Sequence, residues 1–297
     1  MAERRQFKTG GNGIGIVFAA IAAVLAALLL LASAADAAPD PSPPGANDFS
    51  CKPSAEHPRP VVLVHGLAAT QSANWGFISP RLKAAGYCVF SLTYGQDDRL
   101  DAFPYSPGGV IRMQKSSKQL KAFVAKVLAA TGAPEVDLVG HSEGTVMPRW
   151  YLEKRGGAKY VKRFVALTPL WRGTEIGGTA YLRDIAAPYG LSAPLIDAVA
   201  QLCASCPQFL RGSDFMNTLN RDGERIKGVI HTNIATATDE LVVPYTSGLM
   251  NDGGTNIVLQ DVCPGDLSEH AAVAFDPVVS QLVLNALKPK TAQPVQC

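Results

Sequence analysis

A Gly-x-Ser-x-Gly motif that follows a strand-like run constrains the fold of this chain more than any other feature. Residues 136–139 form the run, and residues 140–144 read Gly-His-Ser-Glu-Gly, followed by helix-like sequence. In a nucleophile elbow of this kind, a strand turns sharply into a helix and the serine, here Ser142, occupies the strained tip. The flanking glycines are needed because side chains there would collide with the packed strand and helix. The spacing also fits a Gly-rich turn with a solvated serine, and the flanking strand and helix favour the elbow.

Strand-like and helix-like segments alternate along the chain. Short apolar runs are typical of strands buried in a parallel sheet, and amphipathic runs are typical of helices that pack on it. This alternation predicts an α/β protein with a mostly parallel central sheet and helices on both faces. The expected strands are 60–65, 87–92, the run before Ser142, 161–167, 227–235 and 256–261, and the expected helices are 74–85, 110–130, the segment from the elbow to 154, and 271–287.

The stretch between residues 167 and 227 contains no obvious sheet strand. An insertion of this length between core strands is often a cap or lid over a site, although ordinary packing helices are the alternative. We therefore predict a helical cap insertion at about 168–226 within a domain that spans 48–297. Its apolar residues are Tyr181, Leu182, Ile185, Leu191, Leu195, Ile196, Val199, Leu202 and Phe209.

The first residues of the chain are typical of a targeting segment. Basic residues precede a long apolar run and small residues that suit cleavage, so residues 1–38 are predicted to be a signal peptide. The apolar run is long enough that an uncleaved membrane anchor is the alternative. Residues 39–47 form a Pro-rich linker that we expect to be extended and mobile. This organisation predicts a secreted protein or one of the cell envelope.

Composition excludes some classes of function. The net charge is +2 and no run of Lys or Arg alternates with aromatic residues, which argues against nucleic-acid binding. The six cysteines fit an oxidising compartment. Cys203 and Cys206 could form a small loop, a redox pair or half of a zinc site. Because no second Cys or His pair lies at ligand spacing nearby, a structural bridge is favoured, and we predict no metal and no cofactor.

A serine nucleophile needs an imidazole base. A serine hydroxyl is a poor nucleophile until an imidazole takes its proton and a carboxylate orients that imidazole. In folds with this elbow the order along the chain is serine, acid, histidine. Of the five histidines, only His270 follows the later acids, and it is our predicted base. The others are His57, His65, His141 and His231, of which His65 more plausibly supports the loop that follows the first strand.

Asp239 is the predicted acid. It comes just after an expected strand, and the carboxyl ends of strands are where open α/β sheets form their sites. That strand also directly precedes the one that leads to His270. The competing acids are Glu240, Asp252, Asp261 and Asp266.

Two backbone N–H groups are expected to stabilise the oxyanion of a tetrahedral intermediate. One is the N–H of Glu143, directly after the nucleophile. The other should come from the loop after the first strand, where Leu67 is the best candidate.

Taken together, these motifs resemble a known family. Residues 61–66, 140–144 with 147–149, 237–240 and 263–270 are similar to secreted bacterial triacylglycerol lipases and esterases of the class 2 group, which have the α/β-hydrolase fold. They are also similar to the yeast lipase B type. The resemblance implies triad roles for Ser142, Asp239 and His270, and disulfides Cys51–Cys88, Cys203–Cys206 and Cys263–Cys297. Glu143 and Leu67 stand where yeast lipase B has Gln and Thr, and both still offer a backbone N–H.

We therefore expect a secreted serine ester hydrolase that cleaves apolar acyl esters through an acyl-enzyme. It is expected to be a monomer that contacts a lipid interface transiently. One alternative is a cell-envelope acyltransferase that uses the same triad. The other is a non-catalytic, membrane-anchored binding protein with a hydrolase fold.

Overall fold

A single six-stranded parallel sheet forms the centre of the molecule. The computed structural model of the chain describes residues 40–100, 106–176 and 192–297. Every adjacent pair of strands runs parallel, in the spatial order β2-β1-β3-β4-β5-β6. The strands are β1 (Val61–Val64), β2 (Val89–Leu92), β3 (Val136–His141), β4 (Val161–Leu167), β5 (Ile230–Ala235) and β6 (Thr255–Val258).

The strands and helices follow the sequence expectations to within a few residues, and the larger differences are at three places. The expected helix 74–85 is two short helices with a break at Gly76, and the expected strand 256–261 ends at Val258, where a short helix begins. The last helix starts only at Pro277, because the Asp276 side chain accepts the N–H of Val279 and caps it there. The helices are α1 (Gln71–Trp75), α2 (Ile78–Ala84), α3 (Met113–Thr131), α4 (Glu143–Lys154), α5 (Ser192–Leu202), α6 (Asp214–Asn220), α7 (Leu259–Val262) and α8 (Pro277–Leu287).

Apolar side chains on both faces of the sheet form two core layers. In β1, Val62 and Val64 belong to the layer under α3 and α4, whereas Val61 and Leu63 belong to the layer under α2 and α8. All four side chains are fully buried, as expected for a strand in the middle of a parallel sheet. The predicted parallel sheet covered on both faces is therefore confirmed.

Residues 40–47, part of the predicted linker, are bound to the domain. The side chain of Asn47 donates to the backbone oxygen of Ser91 and accepts its N–H, at 2.8 and 2.9 Å. The carboxylate of Asp40 accepts hydroxyl hydrogens from Thr70, Ser72 and Thr93. This part of the predicted linker therefore lies against the domain, where its polar groups have specific partners, and its mobility stays a prediction.

The predicted signal peptide, residues 1–38, lies outside the described residues. Within the described ranges, no helix combines the length and the apolar character needed to cross a bilayer.

The described part of the predicted cap insertion combines short helices with loops. It contains α5, the 3₁₀ turn Cys206–Phe209 and α6, and residues 177–191 lie outside the described part. The insertion is joined to the loop before α3, since the N–H of Ala204 donates to the backbone oxygen of Val110 at 2.7 Å. The N–H of Met113 likewise donates to the Gln208 side chain at 2.7 Å.

Three disulfides connect the six cysteines as the resemblance implied. Cys51–Cys88 and Cys263–Cys297 join residues that are 37 and 34 positions apart, whereas Cys203–Cys206 spans only three. The first fixes the segment before β1 to the start of β2, and the second joins the end of α7 to the end of the chain.

The two long bridges should contribute most of the disulfide stabilisation. Chain-entropy reasoning gives about 4 kcal/mol for loops of such length and about 2 kcal/mol for the short one. We expect Cys263→Ser with Cys297→Ser to lower the melting temperature more than Cys203→Ser with Cys206→Ser, as measured by differential scanning calorimetry. Equal losses, or no loss, would contradict this ranking.

Candidate active site

Ser142 occupies the tip of the turn between β3 and α4. Its backbone is left-handed, with φ 55° and ψ −123°, and its side chain is half-buried. A Cβ on Gly140 would lie 2.0 Å from the carbonyl oxygen of Gly144, and one on Gly144 would lie 2.2 Å from that of Val64. Both approaches are shorter than any side chain tolerates, so glycine is required at the two positions and the turn can be this tight.

Asp239 and His270 form a buried pair at the carboxyl end of the sheet. Nδ1 of His270 lies 3.0 Å from each carboxylate oxygen of Asp239. The two side chains are 5% and 1% exposed. Asp239 is fixed in turn by the N–H groups of Leu241 and Val242, at 3.0 and 2.7 Å. Because a carboxylate can only accept, Nδ1 carries the hydrogen and Nε2 keeps its lone pair.

The other acids considered do not contact the ring of His270. Glu240 instead accepts the backbone N–H of His270 at 3.3 Å. In the ranges that the structure describes, the ring has no hydrogen bond with any of the four competitors, Glu240, Asp252, Asp261 and Asp266. Asp239 is thus the one of these acids that can orient the imidazole.

His141, the residue before Ser142, contacts the loop of His270, whereas no hydrogen bond between the described side chains of Ser142 and His270 is present. Among the described residues, no hydrogen bond joins Oγ of Ser142 to Nε2 of His270. The rings of His141 and His270 lie 5.2 Å apart, and Nε2 of His141 is 2.9 Å from the backbone oxygen of His270. Hydrogen bonds between nucleophile and base are often long without substrate and shorten in the substrate complex.

Two backbone N–H groups near Ser142 have no acceptor within the described chain, those of Leu67 and Glu143. The loop that carries Leu67 lies against the nucleophile, since a Cβ on Gly66 would be 3.1 Å from Cβ of Ser142. Its other N–H groups are occupied: Gly66 donates to Asn74 Oδ1 at 3.0 Å and Ala68 to the backbone oxygen of Gly108 at 2.9 Å. The arrangement leaves two donors available beside the serine.

His65 supports this loop from beneath. Its Nδ1 lies 2.8 Å from the backbone oxygen of Gly66, and its Nε2 accepts the N–H of Tyr94 at 3.1 Å. Only a neutral ring with its hydrogen on Nδ1 satisfies both contacts. Burial lowers the pKa of His65 to about 4, which keeps the ring neutral. This matches the supporting role expected from its position.

The side chain of Glu143 is buried beside the loop, a feature that the sequence did not indicate. It is 1% exposed, and its Oε2 has no hydrogen-bond partner. Burial raises the pKa of its carboxyl to about 8, partly opposed by the hydroxyls of Ser205 and Tyr94. The Tyr94 hydroxyl donates to the His65 backbone oxygen at 2.9 Å and lies 3.3 Å from Oε1, so a protonated carboxyl can donate to it. Glu143 is thus a neutral acid at moderate pH.

Asn74 and His141 complete the surroundings of the serine, and sequence reasoning missed both. Asn74 Oδ1 accepts the N–H of Gly66 and lies 2.9 Å from Nδ1 of His141. Both side chains are buried. No local pattern marks them, because the contacts join residues 67 and 129 positions apart. The one available signal was the adjacency of His141 to Ser142.

Metal ligation has no support in this site. Among the described residues, no three His, Cys, Asp or Glu side chains are grouped so that they could hold a metal ion.

Comparisons with known proteins show the family and the fold of the chain. The profile of the family described as lipase (class 2) matches residues 58–283. Curated triacylglycerol lipases of Pseudarthrobacter phenanthrenivorans and Burkholderia plantarii are each 34% identical over 148 residues. The match covers 47% of this chain and 41% and 37% of those proteins, so it spans about two fifths of the relatives' length.

Solved structures show the same fold at low identity. Aspergillus fumigatus lipase B superposes with a TM-score of 0.60 and 21% identity, over 86% of this chain and 64% of that one. The mature form of Bacillus licheniformis lipase BlEst2 superposes with a TM-score of 0.53 and 16% identity, over 84% and 96%.

The buried carboxyl of Glu143 should make stability depend on pH. Its pKa lies near 8 in the folded protein and near its ordinary value of 4.5 in the unfolded chain. Between these two pKa values the unfolded chain has released a proton that the folded chain retains. Rising pH therefore lowers the free energy of unfolding, and this decrease ends once the pH is above the pKa of the folded protein. Glu143→Gln removes this pH dependence. We expect the free energy of unfolding of the variant to exceed that of wild type by about 1–3 kcal/mol at alkaline pH.

Melting temperatures measured from about pH 4 to pH 9 test this expectation. The advantage of the variant should grow with pH across that window. Glu135→Gln, a half-buried glutamate in the loop before β3, is the matched control and should show a constant difference. Parallel pH curves for wild type and Glu143→Gln would exclude the buried neutral acid.

Proposed function

Because the chain belongs to the lipase (class 2) family, we propose that it is a serine ester hydrolase acting through Ser142, His270 and Asp239. The observation that carries the proposal is the buried Asp239–His270 pair, with 3.0 Å contacts, at the sheet edge where Ser142 is held in a strained turn. A strained serine beside an oriented imidazole is the arrangement that acyl transfer requires.

The reaction would proceed in two halves. Oγ of Ser142 attacks the ester carbonyl carbon while Nε2 of His270 takes its proton. The C–O bond to the alcohol then breaks, and His270 returns the proton to the departing alkoxide. Water attacks the acyl-serine ester in the same way, and the carboxylic acid leaves. Asp239 keeps Nε2 directed at the serine and stabilises the imidazolium through both steps.

The N–H groups of Leu67 and Glu143 would hold the oxyanion in both halves. Each donor in such a site typically contributes about 3 kcal/mol to transition-state stabilisation. Their availability in the structure supports this role, because a donor that is already bonded within the protein would have to break that bond first.

Apolar acyl esters are the proposed substrates. The relatives named above are triacylglycerol lipases, and the insertion at about 168–226 leaves apolar side chains on α5 uncovered, with Val199 42% and Leu202 68% exposed. We propose that this insertion is a cap over the site. Its contacts with the loop at Gly109 and Val110 support this, since that loop adjoins the one that carries Leu67.

Export from the cytoplasm is part of the same proposal. Three disulfides require an oxidising compartment to persist, and residues 1–38 would be the signal peptide. N-terminal sequencing of the protein recovered from culture medium or envelope should give a mature start near residue 39. Recovery only as the full-length chain in the cytoplasm would reject export.

Labelling by a fluorophosphonate probe tests the triad. Wild-type protein should be modified at Ser142, as mapped by mass spectrometry, and should hydrolyse p-nitrophenyl esters faster as the acyl chain lengthens beyond acetate. Ser142→Ala should lose labelling and about 10⁶-fold in kcat, and Asp239→Asn about 10⁴-fold.

Asp252→Asn is the matched control for the acid. Its carboxylate accepts the N–H groups of Glu224 and Arg225 and does not touch His270, so the variant should keep wild-type kcat. Unchanged activity in Ser142→Ala would overturn the mechanism. A preference for acetate would reject long-chain esters as substrates while leaving an esterase.

A further inference from the structure

His141 lies between two loops that would have to keep a fixed spacing during the reaction. It is the last residue of β3, and its ring is 7% exposed. On one side, Nε2 lies 2.9 Å from the backbone oxygen of His270. On the other, Nδ1 lies 2.9 Å from Oδ1 of Asn74, which also accepts the N–H of Gly66 at 3.0 Å. The ring therefore connects the main chain of the base to the main chain of the oxyanion loop.

We propose that His141 is a positioning residue that sets the distance between His270 and the oxyanion donors around Ser142. The inference rests on the proposed function and extends it to a residue that would touch neither substrate nor reacting atoms. It follows from geometry: one buried ring contacts the backbone oxygen of His270 directly and reaches the N–H of Gly66 through the Asn74 side chain. The ring also belongs to the residue that precedes the nucleophile.

Other groups also hold these two main chains, among them Glu240 on the N–H of His270 and His65 on the oxygen of Gly66, but the His141 ring contacts both sides. The Nδ1–Asp239 contact fixes the imidazole of His270 at its tip, and the His141 contact fixes the same residue at its backbone oxygen. In the oxyanion loop, the N–H of Gly66 has Asn74 as its partner, and Asn74 is buried with His141 against it. Removing the ring would take away the contact of the buried His270 backbone oxygen and leave Asn74 Oδ1 held by Gly66 alone, so both loops could shift.

The protonation state of His141 lets its ring donate a hydrogen bond in one of the two contacts. Both of its partners accept hydrogens, and an imidazolium would satisfy both. Burial, together with the nearby His270, lowers the pKa of His141 to about 3, so the ring is neutral and has one hydrogen for the two contacts. Neutrality matters because His270 becomes positively charged when it takes the proton of Ser142, and a second cation with its ring 5.2 Å away would oppose that charge.

Hydrolysis of p-nitrophenyl butyrate by His141→Phe and His141→Gln tests the inference. Phe fills the site without either polar contact, whereas Gln can restore one of them. Misplacing reacting groups by about 1 Å commonly costs on the order of 100-fold. We expect kcat to fall about 30–100-fold in His141→Phe and less in His141→Gln, with KM changing less than about threefold. Affinity for an alkylboronic acid, which forms a tetrahedral adduct with the serine, should fall with kcat.

His231 supplies the matched control. It is another buried histidine in the neighbouring part of the sheet, 2% exposed, with its Nε2 accepting the N–H of Ile226. Within the part of the chain that the structure describes, its hydrogen bond and ring contacts go to Ile226, Phe164 and Trp171, outside the loops that carry Ser142, His270 and Leu67. His231→Phe should lower the melting temperature to a similar degree while leaving kcat and boronic-acid affinity at wild-type values.

Asn74→Ala breaks the same connection at its other end, where the His141 ring contacts Asn74. It should lower kcat by itself, and the double variant with His141→Phe should lose much less than the product of the two single losses, because both changes break one connection. If His141→Phe fails to fold, Asn74→Ala and His141→Gln provide the comparison with His231→Phe.

The outcomes separate this inference from the function on which it rests. If the wild-type protein is not labelled at Ser142 by the fluorophosphonate, the proposed function fails. If labelling is normal but His141→Phe keeps kcat within about twofold of wild type, or loses no more than His231→Phe, the positioning role is wrong and the triad stands.

Discussion

The tight packing of β3 and α4 against β1 is the constraint on which the site depends. The carbonyl oxygens of Val64 and Gly144 approach the glycines of the elbow so closely that no side chain fits, and Ser142 is held in a left-handed backbone conformation. Such a conformation costs about 1–3 kcal/mol and persists only where surrounding structure over-determines it. Here the surrounding structure is a parallel sheet in which β1, β2 and β3 are fully buried, with apolar layers on both faces, and this packing is rigid enough to hold the turn.

Neutral buried polar groups surround the serine on three sides. Burial lowers the pKa of both His65 and His141 and raises that of Glu143, so each side chain favours its uncharged form near neutral pH. A charge placed in this low-dielectric region would interact strongly with an oxyanion or an imidazolium. The Asp239–His270 pair is therefore the neighbouring group that would change charge during the reaction. Fixed dipoles would stabilise the charges that develop in the transition state.

Local signals explain why much of the architecture could be predicted from the sequence. Apolar runs located all six strands to within a few residues, and the elbow fixed the junction of β3 and α4. The acid was inferred from the rule that parallel strands end at one edge, and the structure places Asp239 against His270. The triad itself stays a proposal, since its roles are chemical and await labelling.

What the sequence could not show depends on contacts between distant residues. Asn74 has no periodic or motif signal, and the motif shows only that His141 adjoins Ser142. Their significance arises when α1 and the His270 loop meet beside β3. The burial of Glu143 was hidden for the same reason, because charged residues are usually exposed and only its neighbours show otherwise. The break of the expected helix at Gly76 and the early end of β6 are boundary differences of the kind that packing decides.

The hydrogen bonds between Asp40 and the start of α1 limit where the amino-terminal segment can be cut without loss of structure. Three hydroxyl groups around that short helix and β2 converge on one carboxylate, and the same helix presents Asn74 to Gly66. Trimming the chain a few residues past Asp40 would leave those hydroxyls facing water and loosen the helix beneath the oxyanion loop. A protease that nicked this segment could thus weaken turnover from a site more than a hundred positions before the nucleophile in the chain.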